Sequence, residues 1–458
     1  MSVVLSRFFI DSLRGNRKIE VPIKDNKIIL VGENGTGKST VANLIYYFLT
    51  CQWDKVSDYE FKSISAVINN EKFTITKEQV DAYQDLRNRP EFIRALPLSI
   101  RNRLESAISG EDPFELLENK KKIREISKNF GIPYTYIEGF IINLTGSNYT
   151  SLTKLEKVTQ KIQSLLEDYV LYLPTYRRIE QDLKSILPEL DVDTRLQRER
   201  KVSRIKKQTS YIEIIEFGME DVESTIERKM EDLKENFRTG LNNLTGTYLR
   251  DVIRDTYKSV EVSGLQSLDD PTLESIFSRI DEKTLSKPDK TSLRNTVKKI
   301  QKQKQVKSEQ KVVAHFLLKL IELYQDQQVK EQDVRDFVDL CNDYLVGKKM
   351  FFDNINFNIT INLEGAKSGG KEIKMKMLSS GEKQIVSLFS QIYLSGINSY
   401  FVIIDEPELS LSVPWQKRFL PDILQTGRCN GLVAVTHSPF IFMNELDPYT
   451  HALTEFVG

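Results

Sequence analysis

The sequence predicts an α/β protein: a head built on a mixed sheet, interrupted by a large, mainly α-helical insertion of short coiled-coil character. Three observations carry this expectation. The apolar run Lys27–Val31 leads into a glycine-rich loop and then a helical pattern. Two later apolar runs, at residues 399–404 and 431–435, end in acids and in a histidine. Strands of an open α/β sheet place such groups at the crevice where ligands bind. Between the first run and these two, residues 191–347 repeat apolar positions at three- and four-residue intervals.

In chain order, residues 8–13 and 18–23 read as two short strands ahead of the strand at 27–31. The spacing predicts a helix over residues 41–49, directly after the loop. Residues 61–69 and 72–77 alternate apolar and polar around Asn69, Asn70 and Glu71, the pattern of a hairpin. A helical pattern then runs from about 80 to 161, broken at Pro90, Pro97, Pro113 and Pro133. Residues 170–174 read as a buried strand. In the long helical stretch, Val222, Ile226, Met230, Leu233, Phe237, Leu241, Leu244 and Tyr248 form one stripe. Val312, Val313, Phe316, Leu317, Leu320 and Leu323 form a second. Two such helices, joined through residues 264–288, predict an antiparallel arm. Strands are expected at 354–363 and 371–377, joined by 364–370, before a helix at 385–394. The domain boundaries expected from this order are 1–190 for the N-terminal head part, with a helical lobe at about 80–165, 191–347 for an insertion serving assembly or sensing, and 348–458 for the C-terminal head part.

At 458 residues, the chain is long for one simple core, and roughly two or three lobes are expected. Lysine plus arginine balances aspartate plus glutamate, which speaks against a protein coated in nucleic acid. The charge is unevenly placed: residues 195–207 and 283–311 are basic, and 213–235 mostly acidic. These segments read either as solvated helix faces that pair with one another or as a docking surface for DNA or an acidic protein. Three scattered cysteines, Cys51, Cys341 and Cys429, give neither a disulfide framework nor a metal pair. No apolar stretch is long enough to span a bilayer, and the first residues do not form a secretory signal. A cytoplasmic protein with no membrane partner is the expectation.

The loop itself is Gly32, Glu33, Asn34, Gly35, Thr36, Gly37, Lys38, Ser39 and Thr40, fitting G-x-x-x-x-G-K-[ST]. Its glycines let backbone N–H groups turn toward phosphates. Lys38 is expected to reach the β- and γ-phosphates and Ser39 to ligate Mg²⁺. The positive end of the following helix adds to the attraction. At residues 378–384, Leu-Ser-Ser-Gly-Glu-Lys-Gln opens a helix whose N-terminus offers serine hydroxyls and backbone N–H groups to an anion. Asp405 and Glu406 end an apolar strand: Asp405 suits the Mg²⁺ hydration shell, and Glu406 suits polarising an attacking water. His437 ends the strand after that.

These four motifs, in this order, resemble the ABC/SMC/RecF superclass of ATPases. The resemblance covers roughly residues 1–80, 165–190 and 350–458, and leaves out the helical middle. It implies an ABC-type P-loop NTPase head that uses ATP and Mg²⁺. It also implies a composite site in which Lys38, Ser39, Asp405, Glu406 and His437 of one copy face Ser379, Ser380 and Gly381 of another. His437 stands where ABC ATPases place a histidine that contacts the γ-phosphate. Arg14 resembles the arginine that SMC-like heads direct at the nucleotide, and reads equally as an exposed strand residue. Gln52, Gln79, Gln160 and Gln181 all compete for the Gln-loop position.

The interval from Thr40 to Leu378 is longer than in transporter subunits, and the helices are too short for SMC or Rad50 rods. With residues 438–458 following His437, a TOPRIM nuclease of the kind that follows the head in overcoming-lysogenization-defect proteins is not expected. The segments at 405–411, 173–180 and 415–422 are most similar to compact prokaryotic ATPases of anti-phage defence. The AriA ATPases of the PARIS system are nearest, followed by the PtuA ATPases of Septu and retron systems. That resemblance implies a homo-oligomeric sensor and scaffold holding a separate effector nuclease, an AriB-like TOPRIM protein, until a phage-encoded trigger releases it. A RecF-type repair ATPase that binds DNA directly is the alternative. One departure stands out: Ser412 lies where this branch often has histidine and transporters often have aspartate.

Overall fold

Two sheets of opposite strand logic are present, and the parallel one carries the phosphate loop, the acid pair and His437. The computed structural model describes residues 3–87, 104, 116, 119–144, 149–174, 211–213, 219–259, 261, 263–266, 268–280, 282–302, 307–364 and 372–458. The segments 175–180 and 195–207, Gln181, and the prolines at 90, 97 and 113 lie outside the described residues. The chain divides into two units, Met1–Glu216 with Asn398–Gly458, and Phe217–Ile397. The boundaries expected at 190/191 and 347/348 do not coincide with this division, because residues 348–397 cluster with the helices.

In the first unit, β1 (Leu5–Leu13), β2 (Arg17–Pro22), β4 (Ser63–Ile68) and β5 (Glu71–Thr76) form an antiparallel sheet in the order β2-β1-β4-β5. Asn69 and Asn70 turn β4 into β5 with φ of 48° and 65°, as a tight hairpin with two left-handed residues requires. A second sheet is parallel throughout, in the order β12-β3-β11-β10-β6-β7. Its strands are β3 (Lys27–Val31), β6 (Tyr169–Leu173), β7 (Tyr211–Glu213), β10 (Tyr400–Asp405), β11 (Cys429–Thr436) and β12 (Thr450–Ala452). The strand directions expected within one mixed sheet are thus shared between two sheets. Every residue of β10 is buried, which is why its run is continuously apolar rather than alternating.

The helix α1 (Lys38–Leu49) buries Val41, Leu44, Ile45, Tyr46, Phe48 and Leu49. Tyr46 stacks on Tyr172 of β6 at 4.4 Å between centroids. Further helices are α2 (Lys77–Arg87), α3 (Lys120–Phe130), α4 (Tyr134–Leu144) and α5 (Tyr149–Leu165), in the lobe the sequence predicts as helical. At the opposite end of the strands from the phosphate loop, Asn26 ties the sheets together. Its amide donates to Val3 O at 2.6 Å and Asn430 O at 2.7 Å, and its oxygen accepts from Leu5 N at 2.8 Å. Gly431 is required there, since a Cβ would collide with the Phe401 ring and the Asn26 amide.

The second unit is built on α6 (Met219–Ile253) and α9 (Ser308–Asn342). They run antiparallel: Lys229 meets Asp333 at 3.2 Å, Gln327 donates to Leu233 O at 3.2 Å, and Asp251 meets His315 at 2.8 Å. The first stripe is buried at Val222, Ile226, Met230, Leu233, Phe237 and Leu244. Each helix is about 50 Å long at 1.5 Å per residue, an arm rather than a rod. The connection holds α7 (Asp270–Ser278) and α8 (Lys287–Lys302) rather than the plain loop expected. In the basic segment around α8, Lys287 pairs with Glu282, Lys298 with Asp270, and Arg294 with Glu274. These exposed pairs match the reading of helix faces that neutralise one another, and each contributes little stability.

Two expectations are corrected. β7 is a strand inside the stretch read as almost wholly helical; it pairs with β6 in the first unit. The expected hairpin of 354–363 with 371–377 is instead β8 (Lys348–Asp353) with β9 (Asn358–Leu363). The Asp353 carboxylate accepts from Ile355 N at 2.9 Å and Asn356 N at 3.1 Å and so makes the turn earlier. Residues Met375–Met377 form a 3₁₀ turn, and the expected pairing survives as a bridge from Asn362 to Glu372. The helix α10 (Ser380–Leu394) follows in this unit, and α11 (Val413–Gln425) lies in the first unit. Among the described residues, no helix is long and apolar enough to cross a membrane.

Candidate active site

The register β12-β3-β11-β10 places three loops side by side. The phosphate loop follows β3, the His437 loop follows β11, and the acid pair ends β10. Gly37 caps α1 with φ of 103°, a left-handed conformation that a Cβ would strain. Lys38 is buried, and its ammonium donates to Gly32 O and Glu33 O, both at 2.8 Å. These carbonyls hold the side chain along the loop where a triphosphate would lie. Burial pushes the Lys38 pKa below its ordinary value, while the Asp405, Glu406 and Glu408 carboxylates act in the opposite direction.

Ser39 and Asp405, 366 residues apart, meet directly: Ser39 Oγ donates to Asp405 Oδ1 at 3.1 Å. Asp405 is buried. Two hard oxygen donors in contact suit Mg²⁺, which takes its remaining ligands from phosphates and water. Among the described residues, no group of three or more His, Cys, Asp or Glu side chains could hold a metal ion.

Glu406 adopts φ of 51°, left-handed for a residue with a Cβ. Such positions cost about 1–3 kcal/mol and concentrate at functional sites. Its N–H donates to Val435 O at 2.8 Å, so the turn is fixed against β11. His437 is exposed just past β11, and its N–H donates to Glu408 Oε1 at 2.7 Å. Glu408 lies inside the segment 405–411 but has no role of its own legible in the sequence, because its partners lie about thirty residues away along the chain.

Ser379, Ser380 and Gly381 belong to the helical unit. Ser379 caps α10: its Oγ accepts from Glu382 N at 3.4 Å and donates to Glu382 Oε2 at 2.8 Å, while Glu382 Oε2 accepts from Ser379 N at 2.7 Å. Lys348 grips both Glu382 oxygens at 2.8 Å. Burial works to raise the Glu382 pKa, but Lys348 and Ser379 together hold it below the ordinary carboxylate value. With Ser379 engaged as a cap, the N–H groups of Ser380 and of the buried Gly381 lie in the first turn, where helix donors have no partner within the helix.

The structure does not draw Arg14 into these contacts. It sits exposed in the turn after β1, with φ of 51° and its N–H on Glu60 O at 3.0 Å. Gln52 donates to Thr50 Oγ1 at 3.0 Å, Gln79 accepts from Thr76 N at 3.0 Å, and Gln160 is exposed. Ser412 is exposed at the N-cap of α11 without a side-chain capping bond.

A phosphate loop between a parallel strand and a helix, with an acid pair ending a strand two places away in the same sheet, defines a P-loop ATPase with an α/β head. The AAA ATPase domain family matches residues 4–442, and the chain belongs to that family. Similar solved structures include the Smc head domain of Pyrococcus furiosus with an extended coiled coil, bound to the C-terminal domain of ScpA. The identity is 13%, over 96% of this chain and 91% of that one, with a TM-score of 0.34. The Smc head with coiled coil and joint from Pyrococcus yayanosii is 14% identical over 96% and 93%, with a TM-score of 0.31. A SmcHead bound to the C-winged helix domain of ScpA is 11% identical over 96% and 90%, at 0.33. No curated protein matches the chain.

Proposed function

We propose that this ATPase is the sensor and scaffold of an anti-phage defence system. It oligomerises, holds a separate TOPRIM-type effector nuclease of the AriB kind, and releases it when a phage-encoded trigger arrives. The observation carrying the catalytic part is the Ser39–Asp405 contact, which joins the phosphate loop to the acid strand. Lys38 supplies charge for the β- and γ-phosphates, Ser39 and Asp405 hold Mg²⁺, Glu406 polarises water, and His437 senses the γ-phosphate. Bound Mg²⁺ would neutralise phosphate charge. Ser379, Ser380 and Gly381 of a second copy close the site, using the N–H groups at the start of α10. The defence reading rests on the resemblance of residues 405–411 and 415–422 to AriA-type ATPases, and the helical unit is its place for assembly or sensing.

Two experiments test this reading. Ser379→Arg and Glu406→Gln variants, each inactive alone, are expected to regain part of the ATPase rate when mixed, because one mixed site then has both halves intact. A mixture as inactive as its components would rule out the composite site. Purification of the chain from its native host is expected to bring down a TOPRIM-type nuclease. DNA retained at physiological salt, with a steep loss of binding as salt rises, would instead support the RecF-like alternative.

A further inference from the structure

The loops after β10 and β11 are tied together by one carboxylate. Glu408 lies three residues past Asp405. Its Oε1 accepts from the backbone N–H of His437 at 2.7 Å and of Ser438 at 3.2 Å. Its Oε2 accepts from the hydroxyl of the buried Thr436 at 2.7 Å. Three consecutive residues of the His437 loop therefore converge on a single acid from the neighbouring loop. Bonds to an ionised acceptor are shorter and roughly twice as strong as neutral ones.

Gln416, on α11, closes the same junction from the other side. Its Oε1 accepts from Ser438 Oγ at 2.6 Å, and its Nε2 donates to Leu411 O at 2.9 Å. Thr436 Oγ1 also accepts from Ser438 N at 3.0 Å. The His437 ring itself makes no hydrogen bond among the described residues, so its direction is set by the backbone that Glu408 grips. Glu406, two residues before Glu408, is fixed by its own bond to Val435 O.

We propose that Glu408 is a positioning residue that sets the distance between Glu406 and His437, with Gln416 as its support, so that the two groups move as one body. This rests on the ATPase roles given above to Glu406 and His437. Glu408 touches neither nucleotide nor water in this scheme; it acts through the backbone at 437. A misplacement of about 1 Å in such a constellation costs on the order of 10²-fold in rate.

The test compares Glu408→Ala with Glu408→Gln in the full chain. The alanine variant is expected to lose kcat by about 10- to 100-fold with KM for ATP unchanged, the signature of an interaction used in the transition state only. The glutamine variant is expected to recover most of that loss. Its amide oxygen keeps the two backbone N–H groups, and its amide nitrogen can donate to the Thr436 hydroxyl. Hydrogen exchange without nucleotide reads the tie independently of activity: the peptide holding residues 436–438 should exchange faster in the alanine variant. A wild-type kcat in Glu408→Ala, equal losses in both variants, or unchanged exchange would each overturn the proposal. Should Glu408→Ala fail to fold, Thr436→Val, which removes one of the three donors but keeps the β-branched shape, carries the same expectation at smaller size. An unmutated chain that does not hydrolyse ATP would sink the ATPase roles of Glu406 and His437, while the exchange result would still decide whether Glu408 holds the loop.

Discussion

Glu406→Gln is expected to bind ATP about as well as the unmutated chain and to hydrolyse it about 10²–10⁴-fold more slowly, the range for removal of a general base. The substitution is nearly isosteric. Glutamine keeps the Cβ and the backbone N–H, so the bond to Val435 O and the φ of 51° stay available. Asp405, Ser39 and Lys38, the residues proposed to hold phosphate and metal, keep their side chains and their mutual contacts. The single loss is the carboxylate proposed above to accept a proton from water. Nucleotide affinity from titration, set beside steady-state phosphate release, separates the two. Full turnover would remove Glu406 from its role, and loss of binding would mean that the carboxylate serves the loop's structure instead.

The nucleotide half of the site is legible in the sequence because its signals are local. Lys27–Val31 is an unbroken apolar run bounded by glycine, and the observed strand has those bounds. The apolar runs at 399–404 and 431–435 read as strands for a similar reason, and the observed strands are Tyr400–Asp405 and Cys429–Thr436. What escaped depends on partners distant in the chain. Tyr211–Glu213 is three residues long, too short for any period, and is a strand only because β6 lies beside it. The hairpin at 348–363 was shifted because the turn is decided by the Asp353 side chain rather than by glycine. Glu408 is one acid in an acid-rich turn, and only the fold brings the three donors of the His437 loop to it.

Glu331→Ala is expected to destabilise the helical unit by about 3–5 kcal/mol, the range for stripping one partner from a buried ion pair. The side chains of Glu331 and Arg279 are both 0% exposed. Arg279 donates Nη1 to Oε1 at 2.8 Å and Nη2 to Oε2 at 3.0 Å, and its guanidinium lies 4.8 Å from the centre of the Tyr324 ring. Its Nε has no hydrogen-bond partner among the described residues, so this cation depends on the two bonds to Glu331. Arg335, which also donates to Glu331 at 2.9 Å, is 37% exposed and can turn to water once the acid is gone. Arg279 cannot, and its isolated charge accounts for the cost. Replacing both partners by apolar residues, Arg279→Met with Glu331→Leu, is therefore expected to recover most of the loss, since buried pairs exchanged for packed side chains are often neutral or better. Denaturation followed by far-UV circular dichroism reports on the helices of both units, whereas the two tryptophans, Trp53 and Trp415, both lie in the first, so a transition seen by dichroism and not by tryptophan fluorescence belongs to the helical unit. A double variant no more stable than Glu331→Ala would show that the acid is needed for packing around α9 rather than to neutralise a buried cation.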